Sequence, residues 1–106
     1  MTLGEKQRKF TLMTATLIAW IYENGYEATW GAAYRDPAWG VGHPDSLHGK
    51  RLAIDLNLFR DGVYLTRTED HEPLGSFWKS IGGTWGGDFV SNPDGNHYSL
   101  EWKGMK

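Results

Sequence analysis

The sequence predicts an α+β fold, a small antiparallel sheet with helices packed on one face and the other face left free for a cleft. Three observations carry this expectation. A helical apolar stripe opens the chain, a segment of alternating polarity occupies its middle, and a second helical stripe precedes a glycine-rich closing segment. With 106 residues the chain is expected to form one domain, residues 1–106, since that length supplies a single core.

Along the chain, Phe10, Met13, Leu17 and Trp20 or Ile21 recur at steps of three and four, with Thr11, Thr14 and Thr16 between them. This is the stripe of an amphipathic helix. It should begin near Glu5 and stop before Gly25, where Glu23-Asn24-Gly25 offers a left-handed cap. Lys6, Arg8 and Lys9 ahead of the apolar run Phe10 to Tyr22 imitate a secretory signal, but no small-residue cleavage site follows and the run is too short for a bilayer. A soluble product made in the cytoplasm, with no membrane insertion, is the expectation.

Tyr26 to Trp30 reads as a short strand. Gly31 to Ser46, crowded with Gly, Pro and Asp, reads as a long ordered loop of the kind that carries function. Arg51 to Phe59 alternates Leu52, Ile54, Leu56 and Leu58 against Ala53, Asp55, Asn57 and Phe59, a strand with two distinct faces. Asp61-Gly62 turns it back through Val63 to Leu65 as a hairpin. Leu74, Phe77, Trp78 and Ile81 lie on one helical face, predicting a helix over Pro73 to Ile81 that Gly82 and Gly83 end. After the turn signal Asn92-Pro93-Asp94-Gly95, His97 to Trp102 closes the fold as a strand.

Composition narrows the function. Eleven Lys and Arg against thirteen Asp and Glu leave a charge of -2, which is no footprint for nucleic acid or anionic lipid. The absence of cysteine excludes disulfides, thiolate metal sites and cysteine nucleophiles. Six Trp, five Tyr and four Phe must then supply much of the core, with Trp20 and Trp78 on the helical stripes.

Of the four histidines, His48 lies near an acid that a strand can aim, Asp55. On one continuous strand they would face opposite ways, so a bend at Gly49-Lys50 is required to bring them together. A carboxylate between Ile54 and Leu56 needs a partner, since burying it unpaired costs several kcal/mol. The partner is either a metal or a cation such as Arg51 or Arg35. His97, heading the last strand, offers a third ligand. Two imidazoles and one carboxylate, with a fourth corner open, is the arrangement of a catalytic zinc. Such a site also needs a general base, for which Asp94 and Glu101 both qualify. Competing assignments are structural: Asp94 as a turn residue, Arg35 as a tie to Asp36 or Asp45, and Trp39 as loop packing or as one wall of a groove. His43 in its Gly and Pro loop, and His71 in the charged run Glu69 to Glu72, receive no role; the latter reads as a solvated face or a helix start.

Ser46-Leu47-His48, Ala53-Ile54-Asp55 and Asp94-Gly95-Asn96-His97, with Tyr34-Arg35 before the loop and Trp85-Gly86-Gly87 before the last ligand, resemble the zinc D-alanyl-D-alanine carboxypeptidase and L-alanyl-D-glutamate endopeptidase family, in particular its small phage endolysin members. The resemblance spans nearly the whole chain. It implies zinc on His48, Asp55 and His97, Asp94 as the base where many relatives carry Glu, Arg35 on a substrate carboxylate or backbone, and Ser46 supporting the site and its substrate. It further implies an endolysin that cuts the stem peptide of bacterial peptidoglycan, at the L-alanyl-D-glutamate bond; a monomer is expected. The enzyme would be released from the host cytoplasm to act in the periplasm. A D-alanyl-D-alanine carboxypeptidase is the alternative within that chemistry, and a catalytically silent wall-binding zinc module the alternative outside it.

Overall fold

In the computed structural model, residues 1–40, 42 and 45–106 are described; His43 falls outside them. The first helix, α1 (Leu3–Glu23), starts earlier than its apolar stripe indicates because Thr2 and Glu5 form a reciprocal capping box. It ends at Asn24, followed by Gly25 in the left-handed region. No helix among the described residues is long and apolar enough to cross a membrane.

Among the described residues five antiparallel strands follow: β1 (Glu27–Trp30), β2 (Ala53–Arg60), β3 (Val63–Leu65), β4 (Thr84–Trp85) and β5 (His97–Ser99). A second helix, α2 (Glu72–Ser80), lies between β3 and β4 with Pro73 in its first turn. Strand order is β1-β2-β5-β4, with β3 also paired to β2. Asp61 and Gly62 both adopt positive φ, 52° and 74°, which a two-residue hairpin between right-twisted strands requires.

The two-faced reading of β2 holds. Leu52, Leu56 and Leu58 are fully buried together with Leu17 and Ile21 of α1, Leu74 and Trp78 of α2, and Tyr98 of β5. Tyr98 pairs with Ile54, so it shares that face. The Trp78 ring meets Phe10 and Tyr98 edge-on, and its indole N–H donates to the carbonyls of Thr84 and Ser99, tying α2 to β4 and β5. Both helices therefore cover the Ile54 face. Asp55 faces the other way, and His97, its register partner on β5, faces with it.

Three expectations need correction. The closing strand stops at Ser99, and Trp102 to Met105 forms a separate tight turn, because Lys103 and Gly104 both take positive φ. The bend between His48 and Asp55 includes Gly49 and Lys50 as expected but extends beyond them, from a 3-10 turn over Leu47–Lys50 to a left-handed Arg51 (φ 56°). Finally, His71 is no part of a solvated face. It is 3% exposed at the start of α2, with Nδ1 2.8 Å from the Tyr98 hydroxyl. A helix brought down onto the sheet by Leu74 and Trp78 carries its N-cap residue inward, whatever the charge of its neighbours.

Candidate metal centre

Three elements bring the ligand set together. Asp55 sits in the middle of the sheet: its N–H donates to the Ala32 carbonyl, its own carbonyl accepts from Gly31, and β5 pairs on its other side. Gly31, Asp55 and His97 thus form one row across the sheet, and the residue without a side chain leaves the surface over Asp55 open. His48 reaches that surface from the 3-10 turn, whose cap is Ser46; the Ser46 hydroxyl accepts from the His48 N–H at 3.2 Å. Ser46 thereby fixes the turn that carries His48.

The orientation of the two imidazoles is informative. His48 Nδ1 lies 2.7 Å from the Ala33 carbonyl, and His97 Nε2 lies 3.2 Å from the Lys106 carbonyl. A carbonyl can only accept, so each of these ring nitrogens bears the proton. A neutral imidazole then presents a bare lone pair on its other nitrogen. Those are His48 Nε2 and His97 Nδ1, at 3.3 and 3.6 Å from the same oxygen, Asp55 Oδ1. That oxygen is buried without a hydrogen-bond partner.

Three acceptors converging on one point repel each other unless a cation sits among them. Zinc bonds of 2.0–2.2 Å at tetrahedral angles separate ligand atoms by about 3.4 Å, which both spacings match, and the three ligand atoms all lie within 4.8 Å of one another. The donor set therefore fits a metal with one corner open. Without a cation, protons must fill the gap. Burial pushes the Asp55 carboxyl up, but the adjacent imidazoles of His48 and His97, as proton donors and as charges, outweigh it and hold it at about 2. Arg51, the alternative partner of Asp55, instead lies 4.1 Å over the Tyr34 ring.

Asp94 stands beside this cluster. Its N–H donates to the Gly86 carbonyl at 2.9 Å, and its carbonyl accepts from His97 at 3.2 Å, so base candidate and ligand share one short segment. Partial burial, then the charge of Asp55, raise its carboxyl above the usual range, while His97, His48 and Arg35 pull the other way. Asp94 also opens the turn into β5, since its carbonyl and the His97 N–H form the closing bond and Asp is favoured at that first position. On its far side Asp94 borders a polar cavity of about 190 Å³, lined also by Tyr64, Arg67, Thr68, His71 and Asn96.

The remaining predicted residues fall as follows. The Arg35 N–H donates to the His48 carbonyl, its guanidinium charge reaches Asp94, and its Nε is buried without a hydrogen-bond partner. Glu101 is engaged elsewhere, pairing with Lys6 at 3.7 Å and accepting from the Gly104 N–H. Trp39 is 61% exposed and meets Tyr34 edge-on at 5.9 Å. Sequence reasoning missed the carbonyls of Ala33 and Lys106, for which no side-chain signal exists. It named Gly86 only within the Trp85-Gly86-Gly87 match and missed its close packing: a Cβ there would stand 2.2 Å from the Asp94 carbonyl oxygen and 2.7 Å from His97 Cβ.

Residues 39–100 match the family described as D-alanyl-D-alanine carboxypeptidase. Among solved structures, the L-Ala D-Glu endopeptidase ChiX of Serratia marcescens has the same fold, with a TM-score of 0.71 at 16% identity, covering 92% of this chain and 85% of that one. No curated protein matches the chain.

Proposed function

Because the chain belongs to the D-alanyl-D-alanine carboxypeptidase family, and is thus a peptidase, we propose that it is a zinc-dependent hydrolase of the peptidoglycan stem peptide, cutting the L-alanyl-D-glutamate bond as a phage or prophage endolysin. The observation that carries this reading is the meeting of two imidazole lone pairs on the buried, hydrogen-bond-free Oδ1 of Asp55. His48, Asp55 and His97 would hold the ion. When bound, zinc acidifies a water and polarises a carbonyl oxygen, which is what hydrolysis of an unactivated amide needs.

The chain's own residues supply the rest. Asp94, its carboxyl raised above its ordinary value by burial, accepts the proton of the attacking water and returns it to the leaving amine. Arg35 offers a guanidinium to a substrate carboxylate, a fork that recognises such a group with two parallel bonds. The polar cavity that Asp94 borders offers room for part of a peptide beside the base. We take residues 1–106 as one monomeric catalytic domain, made in the host cytoplasm and acting in the periplasm after release.

Purified protein with one equivalent of zinc, incubated with defined muropeptides, should release fragments cleaved after L-alanine. Release of free D-alanine alone would support the carboxypeptidase alternative, which the description of the matched family favours. Zinc binding and retention on cell wall without any cleavage would identify a silent wall-binding module and overturn the enzyme reading.

A further inference from the structure

The two imidazoles are oriented by main-chain oxygens far apart in sequence, His48 by Ala33 in the loop after β1 and His97 by Lys106. We propose that the main-chain oxygen of Lys106 is a positioning group for the metal centre: by accepting the His97 Nε2 proton it turns Nδ1 toward Asp55 and holds it there. The proposal rests on the reading of His97 as a metal ligand.

The tail is built to place that oxygen. Lys103 and Gly104 take consecutive left-handed conformations (φ 49° and 83°), the signature of a two-residue turn, and Trp102 and Met105 exchange both main-chain hydrogen bonds, at 3.1 and 2.9 Å. The Glu101 carboxylate accepts from the Gly104 N–H and closes the turn. Trp102 and Met105 pack against the core, which anchors the turn to the body of the protein. The Lys106 oxygen then receives a second donor, the hydroxyl of Ser99, at 2.9 Å. Ser99 is fully buried on the strand that carries His97. A carbonyl has two lone pairs, so one oxygen satisfies both donors and is fixed by both. On the other side the Phe89 ring stands 5.5 Å from the imidazole. The ring is thus confined by packing and aimed by one hydrogen bond. Partners of this kind set the tautomer and orientation of a ligating histidine, and their loss typically costs about 10–100-fold in metal affinity.

The test uses zinc alone as probe, with affinity read by competition against a chromogenic chelator and geometry by the visible absorption of the cobalt form. A chain ending at Met105 should bind zinc about 10–100-fold more weakly than wild type, with an altered cobalt spectrum. Lys106→Ala keeps the main-chain oxygen and should bind as wild type. Ser99→Ala, which frees the oxygen on one side, should fall between the two and carries the test if the shortened chain does not fold. Equal zinc affinity in wild type, the shortened chain and Ser99→Ala would overturn the proposal while leaving the metal centre standing. Absence of zinc binding by wild type would instead remove the centre itself, and the proposal with it.

Discussion

Replacing Gly86 by alanine adds one methyl group just after β4, where the chain runs against Asp94 and His97. The added Cβ would lie 2.2 Å from the Asp94 carbonyl oxygen and 2.7 Å from His97 Cβ. Ordinary approach is about 3.3 Å for carbon to oxygen and about 3.5 Å for carbon to carbon, so the overlaps are about 1.1 and 0.8 Å. Neither neighbour is the free end of a flexible side chain. The Asp94 carbonyl accepts the His97 N–H, and the Asp94 N–H is bonded to Gly86 itself, so relief must move the segment that carries both the base and a ligand. Overpacking of this size costs about 1–3 kcal/mol, or roughly 5–15 °C in melting temperature for a domain of this length. A shift of about 1 Å at reacting groups lowers turnover about 100-fold. Calorimetry of the metal-free protein, chelator competition for zinc affinity and muropeptide turnover measure the three effects. Gly4→Ala, whose Cβ meets only the end of the Arg8 side chain at 3.5 Å, should leave zinc affinity and turnover unchanged and, since alanine is the better helix former within α1, should not lower the melting temperature. A Gly86→Ala protein that melted with wild type and kept zinc affinity and turnover within about threefold would refute the reasoning.

Further outcomes concern the site and the core. His48→Ala, Asp55→Ala and His97→Ala should each abolish stoichiometric zinc by atomic emission and abolish cleavage with it. Asp94→Asn should keep zinc but lose at least about 100-fold in turnover, whereas Glu101→Gln should leave turnover near wild type; the reverse ranking in a muropeptide assay would transfer the base to Glu101. Burial pushes the His71 imidazole down to about 4, against the opposing charge of Asp70. The unfolded chain therefore takes up that proton first: the contribution to stability is complete above about pH 6.5 and declines until about pH 4, by roughly 2 kcal/mol once solvent access is allowed for. Denaturant melts across that range should show a shallower acid slope in His71→Phe than in wild type.

How far the residues alone reached differs from place to place. The alternation of Leu52 to Phe59 gave both the central strand and the side on which Asp55 stands, because strand periodicity is a property of the backbone. The helical stripe of Leu74, Phe77 and Trp78 was equally plain, but the same charged run that marks the start of α2 hid the burial of His71, which depends on where α2 lands on the sheet. Helix boundaries shifted by the Thr2–Glu5 capping box and by Pro73 show local chemistry extending an element beyond its apolar stripe.

By itself the sequence determined the donor types and their spacing: two imidazoles, one strand carboxylate and an acid three residues before the last histidine, on a chain without thiols or an excess of cationic charge. Only the tertiary structure decided which atoms of those residues meet. That choice is made by backbone carbonyls at Ala33 and Lys106, by the left-handed Arg51 that swings His48 over the sheet, and by the register that sets His97 opposite Asp55. Every residue carries the same carbonyl, so its role as an acceptor comes from position in space and leaves no trace in side-chain identity.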